Sequence, residues 1–124
     1  IVANNLKSAY GDPSVVSDEL VDRYLRLSLR EGNREAFVKR ARGSFRDMTS
    51  KLGAIIAPTL LMWGEKDSWI PLDHARRFNE ALVNSQITTY PQAGHVPMEE
   101  IPDLTAKDAK DFLLEKDEDF PELN

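Results

Sequence analysis

The apolar positions change their period along the chain, and the change divides it in two. Leu20, Tyr24 and Leu27 recur at helical spacing, with Val21 and Leu25 widening the stripe. Ser17 supplies an N-cap, and Asp18 and Glu19 suit the positive end of the helix dipole. The pattern predicts a helix that stops at Glu31-Gly32. Asn33 then predicts the cap of a second helix, with Phe37, Ala41, Phe45 and Met48 on one face and Arg34, Lys39, Arg40, Arg42 and Arg46 largely elsewhere. Behind the turn Asp12-Pro13-Ser14, these two make a helical hairpin over residues 12–49, in which Tyr24, Phe37 and Phe45 are expected to be core aromatics.

From Leu52 short apolar runs alternate with helical segments. Thr59-Leu60-Leu61-Met62-Trp63 is an unbroken apolar run after Pro58, as expected of a parallel strand buried on both faces. Gly64 to Ile70 reads as a loop, and Pro71 suits the first turn of a helix on which Leu72, Ala75, Phe78 and Leu82 share a face. Asn84-Ser85 ends that helix, Ile87 to Tyr90 makes a second strand, and Pro91 to Pro97 a second loop. A last helix is predicted from Pro102 to Lys116, with Leu104, Ala109, Phe112 and Leu113 apolar, and the acidic tail beyond Asp117 is expected to fray. A strand, helix, strand unit with so long a crossover implies parallel neighbours and a right-handed connection. The expected organisation is a helical cap, or lid, over residues 1–50 and an α/β core segment over residues 51–124.

Composition narrows the possible partners. The 41% apolar share over 124 residues is that of an ordinary globular chain. Sixteen Lys and Arg against 21 Asp and Glu give a net charge of −5, so no broad positive field exists to draw in a phosphate backbone, and nucleic acid is not an expected partner. The basic residues of the second helix read as a solvated face rather than a phosphate or lipid site. No apolar run is long enough for a membrane span, so no membrane partner is expected. Ile1 to Tyr10 lacks the order of a signal peptide, and a start at Ile1 rather than Met suggests a cut start or a position inside a longer product. The compartment stays open, with the cytoplasm as the default expectation. Cysteine is absent, which removes disulfides, thiolate metal sites and a cysteine nucleophile from these residues. The two histidines show no metal-ligand spacing, and no metal or other cofactor is expected.

Functional groups of open parallel sheets gather in loops at the carboxyl ends of strands. Asp67 lies four residues beyond Trp63 and His95 five beyond Tyr90, so the two can meet at one edge of adjacent strands. An imidazole shuttles a proton between nucleophile and leaving group only when its tautomer is held, and a buried carboxylate on its other nitrogen holds it. Gly64 allows the chain to turn off the strand, and Gly94 keeps bulk away from the histidine.

These two loops carry a resemblance. Pro58-Thr59-Leu60-Leu61-Met62-Trp63-Gly64-Glu65-Lys66-Asp67 resembles the penultimate strand and acid loop of the α/β-hydrolase fold superfamily, and Ala93-Gly94-His95-Val96-Pro97-Met98-Glu99-Glu100 resembles its histidine loop. Acid before histidine is also that family's order. The likeness covers residues 52–116 well, and residues 12–49 resemble the second half of an inserted helical cap. It implies an α/β fold class: the C-terminal part of an α/β-hydrolase fold, two parallel strands with flanking helices, preceded by a helical cap hairpin.

The departure is that no Gly-x-Ser-x-Gly nucleophile elbow and no Gly-rich oxyanion segment occur in the chain. Ser44 sits inside a helical pattern and is rejected as nucleophile. The resemblance therefore implies a hydrolase of an ester or related bond in a small, largely apolar substrate. Asp67 and His95 would be its catalytic acid and base, and the nucleophile, serine or aspartate, would lie outside these residues. Trp69 and Ile70, just past Asp67, are candidate substrate contacts. His74 reads as structural or exposed, and Glu99 and Glu100 as charges capping the last helix rather than general acids. The rival expectation is a non-catalytic binding or assembly module derived from the same fold. With one strand edge bare, the isolated chain is expected to self-associate or swap its hairpin between copies.

Overall fold

The computed structural model describes residues 1–119. In chain order it has α1 (Val2–Ala9), a 3-10 turn (Pro13–Val15), α2 (Asp18–Ser28), α3 (Asn33–Arg42) and a second 3-10 segment (Thr49–Ala54). Then follow β1 (Thr59–Gly64), α4 (Leu72–Ala81), β2 (Ser85–Tyr90), α5 (Pro97–Glu100) and α6 (Pro102–Asp119). No helix among the described residues is long and apolar enough to cross a membrane.

The strands pair in parallel, in a register that runs from Thr59 opposite Ser85 to Gly64 opposite Tyr90, and this brings their carboxyl ends level. α4 packs on both strands, and α6 covers β1. Tyr90 is the largest fully buried side chain, and its hydroxyl donates to Asp108 of α6 at 2.9 Å, tying the end of β2 to that helix. Among the described residues β1 has no second neighbour, and Thr59 to Trp63 are half-buried rather than buried on both faces.

A second cluster forms from Leu6, Ala9 and Tyr10, packed against Val16, Leu20, Val21 and Tyr24 on one side and Val96 of the histidine loop on the other. Residues 1–11, grouped by position with the cap segment 1–50, are therefore in contact with the loop that follows β2. Their main chain passes so close that a Cβ on Gly94 would meet Gly11 N at 2.6 Å.

The hairpin differs from expectation in three ways. Ser17 caps α2 by accepting from Leu20 N at 3.2 Å, but Asn33 does not cap α3. Gly32 takes that position, and the Asn33 side-chain amide reaches back to the Leu27 carbonyl at 2.6 Å. α3 then stops at Arg42, because Gly43 offers no side chain to favour the helix, so Ser44, Phe45 and Met48 lie beyond it. Phe37 and Phe45 are each 73% exposed, so of the three aromatics expected in the core only Tyr24 packs. α6 outruns its expected end and continues to Asp119, and the rest of the tail expected to fray lies outside the described residues.

Candidate active site

The Asp67 loop is built by hydrogen bonds that the strand pair positions. Glu65 N donates to the Tyr90 carbonyl at 3.0 Å and Lys66 N to the Ala93 carbonyl at 3.0 Å, so the chain leaving β1 is stitched to the chain leaving β2. The two pass in main-chain contact at Gly64, where an added Cβ would stand 2.7 Å from the Ala93 carbonyl carbon. Only glycine admits that approach.

Asp67 is 5% exposed in its side chain, and both carboxylate oxygens are engaged. Oδ1 accepts from the backbone N–H groups of Trp69 and Ile70, each at 2.9 Å. Oδ2 meets His95 Nδ1 at 2.9 Å. A carboxylate can only accept, so Nδ1 is the donor in this contact, and Nε2 is the ring nitrogen left for a further partner. His95 keeps 30% of its side-chain exposure, so the ring is reachable while its partner is not.

Trp69 and Ile70 frame this pair differently. The Trp69 ring lies 4.9 Å from the His95 ring at a tilt of 40°, and its Nε1–H donates to the Ser8 hydroxyl at 3.0 Å. Ile70 is held by its carbonyl, which accepts from Trp63 Nε1 at 2.9 Å, and it lines a cavity of about 130 Å³ together with Asp67, His95, Met62 and Pro97. Trp69 thus stacks beside the histidine and Ile70 faces the cavity. His74, in the first turn of α4, lines a different cavity with Thr49, Leu52 and Arg77.

Several proteins share this frame. No family model matches the chain. The uncharacterized hydrolase YugF of Bacillus subtilis is 31% identical over 113 residues, 90% of this chain and 41% of its own length. A 2-hydroxy-6-oxo-6-phenylhexa-2,4-dienoate hydrolase of Burkholderia cepacia is 30% identical over 82% of this chain and 37% of its own. A meta-cleavage product hydrolase of Pseudomonas fluorescens superposes with a TM-score of 0.80 at 23% identity, over 93% of this chain and 45% of that structure. The chain has the C-terminal part of an α/β-hydrolase fold.

The chain spans less than half the length of the relatives it matches, and what it shares with those α/β-hydrolases is their C-terminal part. Within that part, Glu99 and Glu100 differ from expectation. They close the short helix α5 rather than open α6, because Ile101, before Pro102, takes φ −138° and breaks the helix. Glu99 accepts from the Tyr10 hydroxyl at 2.6 Å and the Tyr24 hydroxyl at 2.9 Å, and pairs with Arg23 at 2.9 Å. Burial and this carboxylate push the Tyr10 phenol well above its ordinary range, and burial and Glu99 raise Tyr24 as well. Glu100 bonds to the backbone at Gly11 and Gly94. Both are bound to residues distant in sequence, and no local spacing announces such contacts.

Proposed function

We propose that this chain supplies the acid and the base of an α/β-fold hydrolase that cleaves an ester or related bond in a small, largely apolar substrate. The observation that carries the reading is the 2.9 Å contact between His95 Nδ1 and the buried, fully bonded Asp67 carboxylate. His95 Nε2 takes the proton of a nucleophile that lies outside these 124 residues, then returns it to the leaving group. Asp67 holds the tautomer and stabilises the imidazolium as it forms. Trp69 packs on the imidazole and Ile70 presents an apolar wall to the substrate. The hairpin of α2 and α3 covers the site and limits water. Relatives named as 2-hydroxy-6-oxo dienoate hydrolases make that class the first to assay beside simple esters.

The test uses a longer protein that carries these residues together with a serine or aspartate nucleophile. His95→Ala should lower kcat by roughly three orders of magnitude or more with the fold intact, and Asp67→Asn somewhat less. His74→Ala should change it little. The reading fails if His74→Ala proves the more harmful at equal thermal stability, or if no substrate is turned over faster than in buffer by the well-folded protein. The second of these outcomes would favour a binding or assembly module.

A further inference from the structure

The histidine loop is held from outside its own strand. His95 N donates to the Ala9 carbonyl at 2.6 Å, which fixes one side of the residue to the last residue of α1. One position earlier, Gly94 N donates to Glu100 Oε1 at 2.8 Å, and the other oxygen of the same carboxylate, Oε2, accepts from Gly11 N at 2.7 Å. Gly11 and Gly94 are in main-chain contact, since a Cβ on Gly11 would stand 2.8 Å from Gly94 N. Two donors this closely packed each need an acceptor, and the Glu100 carboxylate supplies both.

A carboxylate answers that need because it accepts at both oxygens and donates at neither. A glutamine would turn an amide group toward one of the two N–H groups, donor against donor. An aspartate is one methylene shorter and reaches one of them at most.

We infer that Glu100 is the positioning residue that keeps His95 within bonding reach of Asp67, acting through the backbone of Gly94. The inference rests on the reading of Asp67 and His95 as acid and base. The contact it protects is exacting, since a shift of about half an ångström in the loop degrades a productive hydrogen-bond geometry. Glu99, its neighbour, binds Tyr10, Tyr24 and Arg23 instead and touches neither Gly94 nor Gly11, so it separates a specific brace from a general loss of packing.

The experiment follows the imidazole proton of His95 by NMR in the isotope-labelled longer protein that carries these residues, with Asp67→Ala to assign it by its loss. Glu100→Gln should remove that low-field signal or speed its exchange with water about tenfold or more, the consequence of losing one charge-assisted bond. Glu100→Asp should fall between the two, and Glu99→Gln should stay within about twofold of the parent. Equal effects of Glu100→Gln and Glu99→Gln would overturn the role of Glu100 and leave the acid and base reading standing. Absence of any Asp67-dependent proton in the parent would sink both. Should Glu100→Gln fail to fold, Glu100→Asp carries the same comparison, and hydrogen exchange in the parent decides without any substitution. Gly11 and Gly94 amides that exchange at the rate of an open loop would overturn the proposal.

Discussion

Gly64→Ala tests how tightly the two loops are joined. The new Cβ would stand 2.7 Å from the Ala93 carbonyl carbon and press still closer on the oxygens of Ala93 and Gly94. Ordinary carbon contacts need about 3.5 Å or more, so the histidine loop has to retreat by about 1 Å. All the crowding atoms are backbone, which cannot swing aside as a side chain can. Overpacking of this kind costs about 1–3 kcal/mol. The retreat also strains the bonds from Glu65 N to Tyr90 and from Lys66 N to Ala93, each about 0.5–1.5 kcal/mol. The expected loss is therefore about 2–6 kcal/mol. Urea unfolding followed by tryptophan fluorescence, with Trp63 next to the change, should show the midpoint lowered by about 1 M or more, or the cooperative transition lost. Gly53→Ala is the comparison, because its nearest neighbour would be the Ala81 carbonyl at 3.9 Å, an ordinary contact. The reasoning is refuted if Gly64→Ala unfolds within about 0.5 M of the parent, or if Gly53→Ala is equally harmful.

Tyr90→Phe should cost about 1.5–3 kcal/mol, since it strips the half-buried Asp108 carboxylate of its donor. Burial and Asp108 push the Tyr90 phenol from its usual 10.0 up to about 12. A raised folded value means that this stabilisation is whole below pH 10 and lost as pH rises toward 12, so the parent should weaken across that window more steeply than Tyr90→Phe in parallel melts. The 124 residues alone should release no p-nitrophenol from short esters above the buffer rate, and turnover blocked by a serine-directed phosphonate would reveal a nucleophile that the reading denies. By light scattering, the isolated chain should run as a dimer or larger species that persists at micromolar concentration, because β1 has one bare edge and Phe37 and Phe45 stand exposed. A monodisperse monomer with one cooperative transition would argue instead for a self-sufficient module.

What could be read in the sequence was local. Pro58 and the apolar run behind it mark β1, Pro71 marks the start of α4, and the loop lengths after Trp63 and Tyr90 bring Asp67 and His95 to the same edge. Helical period alone overran α3, since Phe37, Ala41 and Phe45 keep their spacing straight across Gly43 and period carries no information about where a helix ends. The burial of β1 was overstated because an apolar run reports what a strand is suited to, while burial depends on neighbours. The bonds that tie Glu99 and Glu100 to Tyr10, Gly11 and Tyr24 left no signal, because these partners lie 75 to 89 positions away and single residues at such separation form no period.

The strap from Ala9 to His95 also bears on the order in which the molecule assembles. Asp67 and His95 close a separation of 28 residues once β1 and β2 pair, whereas Tyr10 and Gly11 reach their glutamates across 89. Chain entropy alone makes the wider closure costlier by about 1 kcal/mol, and the search for it is correspondingly slower. The imidazole therefore finds its carboxylate in a half-formed molecule, while the brace that steadies it arrives only when the first helix docks. Anything that delays or detaches that helix leaves a chain whose strands are paired and whose histidine is present but loose.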